Sequence, residues 1–161
     1  MPEQATLKRA ARDRRAGKSA GTQAGEFVRE EMNHIRQGKH AARSSKQAIA
    51  IGLSKARRAG VKLPAPKNGS ASTPHKTQRD SATGRRPHAP SRTRSRASEG
   101  ALKHEGRSAA SHHALARQAR GAAAKRSSAS RSAAARKAAR TKGAAGRSAA
   151  ARKGARTRAR R

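Results

Sequence analysis

The chain has no cysteine, no tryptophan and no tyrosine, and Phe27 is its one aromatic residue. Without cysteine there is no disulfide framework, no thiolate zinc finger and no thiol catalysis, which fits a reducing cytoplasm. With a single aromatic, the chain cannot build the platforms on which unstacked bases lie, so Phe27 is read as a core residue. Acid is scarce too: 8 Asp and Glu stand against 41 Lys and Arg, for a formal charge of +33, and none follows Glu105. Large apolar residues thin out after Leu63, where only Leu102 and Leu115 remain. No run of about 18 apolar residues is present to cross a membrane. The stretch from Glu3 to Lys18 is charged and lacks the apolar segment of a secretory signal, while Glu3 and Asp13 set it apart from an acid-poor transit peptide.

What is present in quantity is positive charge. From Arg107 to Arg161 there are seventeen Lys and Arg, set among Ala, Ser and Gly. A polycation of this kind repels itself and is relieved by phosphate, which makes nucleic acid the leading partner. Low hydrophobicity with high net charge is also the signature of disorder. Any core must come from Phe27, Val28, Met32, Ile35, Ile49, Ile51, Leu53, Val61 and Leu63. That segment is near the lower limit of about 40 residues for unaided folding.

Within it, Val28, Met32 and Ile35 fall on one helical stripe beginning at Glu26, and Gly38 ends the helix. Glu26, Glu30 and Glu31 are placed in its early turns, suited to the positive end of the helix dipole. Ser44 and Gln47 have the spacing of a capping box, so a second helix is predicted from there. Ile49, Leu53 and Ala56 form its apolar stripe, Ile51 widens it, and Gly60 is placed to close it in a left-handed conformation. The product is a helical hairpin over about 26–60 with a basic second helix bearing Lys46, Lys55, Arg57 and Arg58.

The segment Lys46-Gln47-Ala48-Ile49-Ala50-Ile51-Gly52-Leu53-Ser54-Lys55-Ala56-Arg57 resembles the hallmark of a family of small uncharacterised bacterial proteins, Gln-Ala-Ile-Ala-Ile-Gly/Ala-Leu-Ser. Met32, Gly38-Lys39 and Ser44-Ser45 are similar to that family's first half. The resemblance spans roughly residues 26 to 63 and implies a domain boundary, but no activity.

Five of the six prolines lie between Pro64 and Pro90, interleaved with Ser, Thr, Gly and Arg, which reads as an unfolded linker. In the tail, Arg131-Ser-Ala-Ala-Ala-Arg-Lys137 recurs sixteen residues later as Arg147-Ser-Ala-Ala-Ala-Arg-Lys153, and Ala139-Arg140-Thr141 recurs as Ala155-Arg156-Thr157. The period is too poor in large side chains to stack a solenoid core and serves charge spacing. Ala and Arg favour helix while like charges oppose it, so the tail is expected to turn helical on binding. Over residues 121 to 161 it resembles the tails of bacterial histone H1-like proteins, with Arg in place of much of the usual Lys.

Several local patterns point elsewhere and are set aside. A helix-turn-helix reading of the hairpin lacks a third supporting helix. Gly84-Arg85-Arg86-Pro87 has the residues of a minor-groove hook in the wrong order, and a lone Thr73-Pro74-His75-Lys76 carries little. Gly17-Lys18-Ser19 mimics the end of a phosphate loop, but Arg12 stands where the first glycine belongs. Glu30 and His34, and the His112-His113 pair, invite metal ligation, yet neighbouring positive charge argues for solvated histidines.

The sequence therefore predicts a mostly disordered chain with a small all-α element: a basic arm over 1–22, a helical hairpin over 23–63, a Pro/Ser/Arg-rich linker over 64–106 and a repeat tail over 107–161. The expected function is sequence-nonspecific DNA binding by a histone H1-like nucleoid-associated protein in the cytoplasm, neutralising or bridging duplexes, with RNA or the ribosome as the alternative partner. No enzyme activity, cofactor, metal, small-molecule substrate or membrane is expected, and the hairpin is a candidate for self-association. Phosphate contacts are assigned to Lys46, Lys55, Arg57, Arg58, Lys125, Arg126, Arg131, Arg136, Lys137, Arg140, Lys142, Arg147, Arg152, Lys153, Arg156, Arg158, Arg160 and Arg161. Ser127, Ser128, Ser130, Ser132 and Ser148 lie near Arg, where phosphorylation would subtract charge.

Overall fold

A computed structural model describes residues 2–66, 70–85 and 91–159. Among them are seven α-helices: α1 (Gln4–Arg15), α2 (Ala20–Arg36), α3 (Ser45–Arg58), α4 (Thr73–Arg85), α5 (Arg92–Lys103), α6 (His112–Ala124) and α7 (Ser128–Ala159), with a short 3-10 turn at Ser108–Ala110. The chain divides into two compact units, residues 1–118 and 119–161. This overturns the expectation of a mostly disordered chain: helices occupy the basic arm, the proline-rich stretch and the tail as well as the hairpin.

The hairpin is present, with longer limbs. Ser19 caps α2 by accepting from the Thr22 amide at 3.3 Å, so the helix begins at Ala20, a turn and a half before Glu26. The three glutamates consequently sit mid-helix, away from the dipole end. Ser44 caps α3 through the Gln47 amide, and the Gln47 side chain returns to the Arg43 amide, one residue short of the reciprocal bond of a capping box. Gly38 and Gly60 both take positive φ just past their helices, as their positions required.

α1 packs on α2, α2 on α3, and α3 on α4. The arm is ordered because it completes a core: Ala10, Ala24, Phe27, Ala56 and Val61 are buried together, with Leu7, Leu53 and Leu63 against them. A second cluster joins Met32, Ile35, Ala42 and Ala48 to Ala109 and Ala110 of the 3-10 turn, with Val28, Ile49 and Leu115 alongside. Thus the tail's first residues belong to the folded unit. Ser45 Oγ donates to the Ala109 carbonyl at 2.6 Å, Arg36 Nε to the Ala110 carbonyl at 3.0 Å, and the Ala42 amide to the Gly106 carbonyl at 3.2 Å. Ile51, expected in the core, instead lines an open depression on α3 with Gln47, Ala50 and Ser54.

Two close approaches set this packing. A Cβ on Gly52 would lie 2.7 Å from Val28 Cα, so the α2–α3 crossing depends on the missing side chain. A Cβ on Gly84 would lie 2.5 Å from the Arg57 carbonyl oxygen, which brings the end of α4 onto the end of α3. Asp80 on α4 accepts from Ser54 Oγ at 2.6 Å and from Arg58 Nε at 2.9 Å. These contacts account for helix where the composition alone reads as linker. The 119–161 unit is helical without a core. Its order rests on Ala, Arg and Lys, all good helix formers. The tail is therefore helical before any polyanion is supplied, contrary to expectation.

Candidate nucleic-acid interface

The four cations assigned on α3 are in four different environments. Lys46 is exposed. Lys55 is 21% exposed, and its Nζ lies 2.7 Å from Glu31 Oε2 and 3.7 Å from Glu30 Oε1. Neither of those carboxylate oxygens receives an aligned hydrogen bond, so the contact is ionic. Arg57 is buried and donates from Nη2 to the Pro64 carbonyl at 3.3 Å. Arg58 is 57% exposed and paired with Asp80. The fold therefore supplies the supporting helices that a helix-turn-helix needs, α1 and α4, while turning Lys55 and Arg57 toward the protein's own oxygens.

The network around Lys55 went unread in the sequence. Glu31 Oε1 lies 2.7 Å from His40 Nε2, Glu3 Oε1 accepts from Lys39 at 3.1 Å and lies 2.8 Å from His34 Nε2, and the Glu3 amide donates to Glu30 at 3.2 Å. His34, and after it Lys39, draw the Glu3 carboxyl down from 4.5 to about 2. Elsewhere Arg9 and Arg29 share Glu26, and Lys18 holds Asp13. The signal for this was the chain's only acidic cluster, Glu26, Glu30 and Glu31. Its partners lie on the arm, the loop and α3, where helical spacing cannot find them.

The tail is the opposite case. Lys125, Arg126, Arg131, Arg136, Lys137, Arg140, Lys142, Arg147, Arg152, Lys153, Arg156 and Arg158 are all exposed, and no acidic side chain follows Glu105. Arg160 and Arg161 lie outside the described residues, as does the Arg86-Pro87 half of the hook-like sequence. Within α7, Arg131 and Lys142, about three turns apart, share one side of the helix and Arg140 faces the other. The repeat copies this placement as Arg147, Arg158 and Arg156. It also copies a hydrogen bond: Thr141 Oγ1 donates to the Lys137 carbonyl at 2.9 Å, and Thr157 Oγ1 to the Lys153 carbonyl at 3.0 Å. Gly143, at φ 62° and ψ 176°, breaks the helix between the two copies in a conformation that suits glycine alone. Ser127 caps α7 by accepting from the Ser130 amide at 3.2 Å.

The hairpin, with its two capped helices and close crossing at Gly52, now has a counterpart. Residues 14–67 match the model of a family of unknown function, DUF6496. The match covers the end of α1, all of α2 and α3 and the segment after them, in keeping with a family of small uncharacterised proteins. No curated protein and no solved structure matches the chain. The likeness of the tail to histone H1-like proteins accordingly finds no support in these comparisons. No helix among the described residues is long and apolar enough to cross a membrane.

Proposed function

We propose that the protein is a non-enzymatic, nucleoid-associated DNA-binding protein of the cytoplasm that acts in a histone H1-like manner, holding duplexes through their phosphates with little sequence preference. The observation that carries this reading is α7, a helix whose cations are exposed on several sides and have no acidic partner in their unit. Binding proceeds by counterion release, and Arg adds bidentate geometry toward phosphate oxygens. Cations on opposite sides of one helix suit contact with two duplexes, which favours bridging over simple coating. The single aromatic residue directs binding to backbone and shape rather than to unstacked bases. Lys46 on α3 adds exposed charge to this surface chemistry, and Lys55, Arg57 and Arg58 serve the fold first.

The test compares the full chain with a chain ending at Gln118 in binding to DNA duplexes of unrelated sequence, with duplex and single-stranded RNA as competitors. The expected result is tight binding by the full chain alone and equal affinity across DNA sequences. A marked preference for RNA would move the assignment to an RNA- or ribosome-binding protein. Retention of tight, sequence-selective binding by the shorter chain would replace it with a specific regulator built on the helical unit.

A further inference from the structure

His34, expected to be solvated from the surrounding charge, and His40 are largely shielded side chains inside the folded unit. One ligand atom from each of Glu31, His34 and His40 lies within 4.8 Å of the other two. Glu31 is 1% exposed, His34 12% and His40 17%, and the two imidazole rings meet edge to face with centroids 5.9 Å apart.

The tautomer of His40 can be read from its neighbours. Nδ1 lies 3.2 Å from the Ala41 carbonyl oxygen, which can only accept, so Nδ1 carries the proton of that bond. In a neutral ring Nε2 then presents a lone pair. That nitrogen is sealed from solvent, has no hydrogen-bond partner, and lies 2.7 Å from Glu31 Oε1. Two electron-rich atoms at that distance require a positive charge beside them. A second ring proton supplies charge, but it is not aligned on the carboxylate oxygen and leaves Nε2 unsatisfied. A metal ion between the three groups satisfies Nε2 and Glu31 together. A histidine that donates through one nitrogen to a backbone carbonyl and offers the other inward is oriented as metal-bound histidines are.

We propose that Glu31, His34 and His40 bind one divalent transition-metal ion of the zinc class. Two imidazole nitrogens and one carboxylate oxygen form a borderline donor set that suits Zn²⁺ better than Ca²⁺ or Mg²⁺, which favour oxygen throughout. Glu3, whose Oε1 lies 2.8 Å from His34 Nε2, stands outside this group of three, so water completes the shell of the ion. Lys55 engages the other Glu31 oxygen, which leaves Oε1 to face the ion. The ion ties the last turns of α2 to the loop that leads into α3. Its binding therefore adds to the stability of the fold.

The test uses the full chain, stripped with chelator and freed of nucleic acid in high salt, and titrated with Zn²⁺ by calorimetry and with Co²⁺ by visible absorption. The expected result is one ion per chain, the absorption of a low-coordinate Co²⁺ site, and a higher thermal midpoint with Zn²⁺. His34→Asn with His40→Asn should weaken binding by at least about a hundredfold, more than loss of an outer-shell partner brings. His112→Asn with His113→Asn should leave it unchanged. Failure of the unaltered chain to take up a stoichiometric ion would overturn the proposal. So would uptake that survives the first pair of substitutions and disappears with the second. If the first pair loses helicity, the Co²⁺ spectrum of the unaltered chain decides, and a spectrum no different from the aqueous ion is the contradicting outcome.

Discussion

Between Glu3 and Asp80, the side chains of Arg9, Lys18, Arg29, Lys39, Lys55 and Arg58 each lie against a carboxylate. Between Lys125 and Arg158, twelve Lys and Arg have no acidic side chain in their stretch of sequence at all. The same two residue types thus hold a small helical unit together in one region and stand open to a polyanion in the other. Acid placement makes the difference. Six of the eight carboxylates pair with cations in the folded unit, and the tail is left with its full charge. Net charge alone could not have distinguished these uses.

The comparison breaks most visibly if the tail loses its charge. Replacing Arg131, Arg136, Lys137, Arg140, Arg147, Arg152, Lys153 and Arg156 by Gln should lower DNA affinity by more than about a hundredfold at low salt, measured by fluorescence anisotropy. Urea unfolding of the 1–118 unit should not change. The converse substitution is Glu31→Gln, in chelator. It removes the carboxylate beside Lys55 and should cost about 2–3 kcal/mol in urea unfolding, the lower end for a buried pair because Lys55 keeps some water and has Glu30 nearby. DNA affinity at a temperature where the variant remains folded should stay within about twofold, since the tail still supplies the phosphate contacts.

Two smaller effects sharpen the folded side. Gly52→Val places a branched side chain where even a Cβ lies 2.7 Å from Val28 Cα, and should destabilise by about 2 kcal/mol as the helices are forced apart. Ser44→Ala removes the cap of α3 and should cost about 1 kcal/mol. In both variants the tail's contribution to binding should persist unchanged, and a parallel loss of DNA affinity would mean that the helical unit carries the interface.

The parts of the fold that were legible in the sequence are those written in local chemistry. Ser44 with Gln47, Gly38 and Gly60 mark helix ends through hydrogen bonds and backbone angles their own residues determine. Val28, Met32 and Ile35 mark a stripe because large side chains recur at helical spacing. What escaped is written in alanine and in distant partners. Ala10, Ala109 and Ala110 are buried as fully as the large residues, but alanine is everywhere in this chain and gives no pattern. The start of α2 at Ser19 was hidden because the first turn after it has no large apolar residue. α4 is secured by Asp80 reaching Ser54 and Arg58 on another helix, while the prolines nearby argue for linker. The tail cations needed only the composition to be found. Lys55 and Arg57 looked like two more of them, and their partners Glu31 and the Pro64 carbonyl appear only in three dimensions.

The most direct test of the account is the salt dependence of DNA binding by the full chain. If about ten tail cations meet phosphate, log affinity should fall against log salt with a slope near −9, and the slope should be the same for duplexes of unrelated sequence. A slope close to zero, or one that the chain ending at Gln118 reproduces in full, would contradict the division of labour between the paired cations of the helical unit and the unpaired cations of the tail.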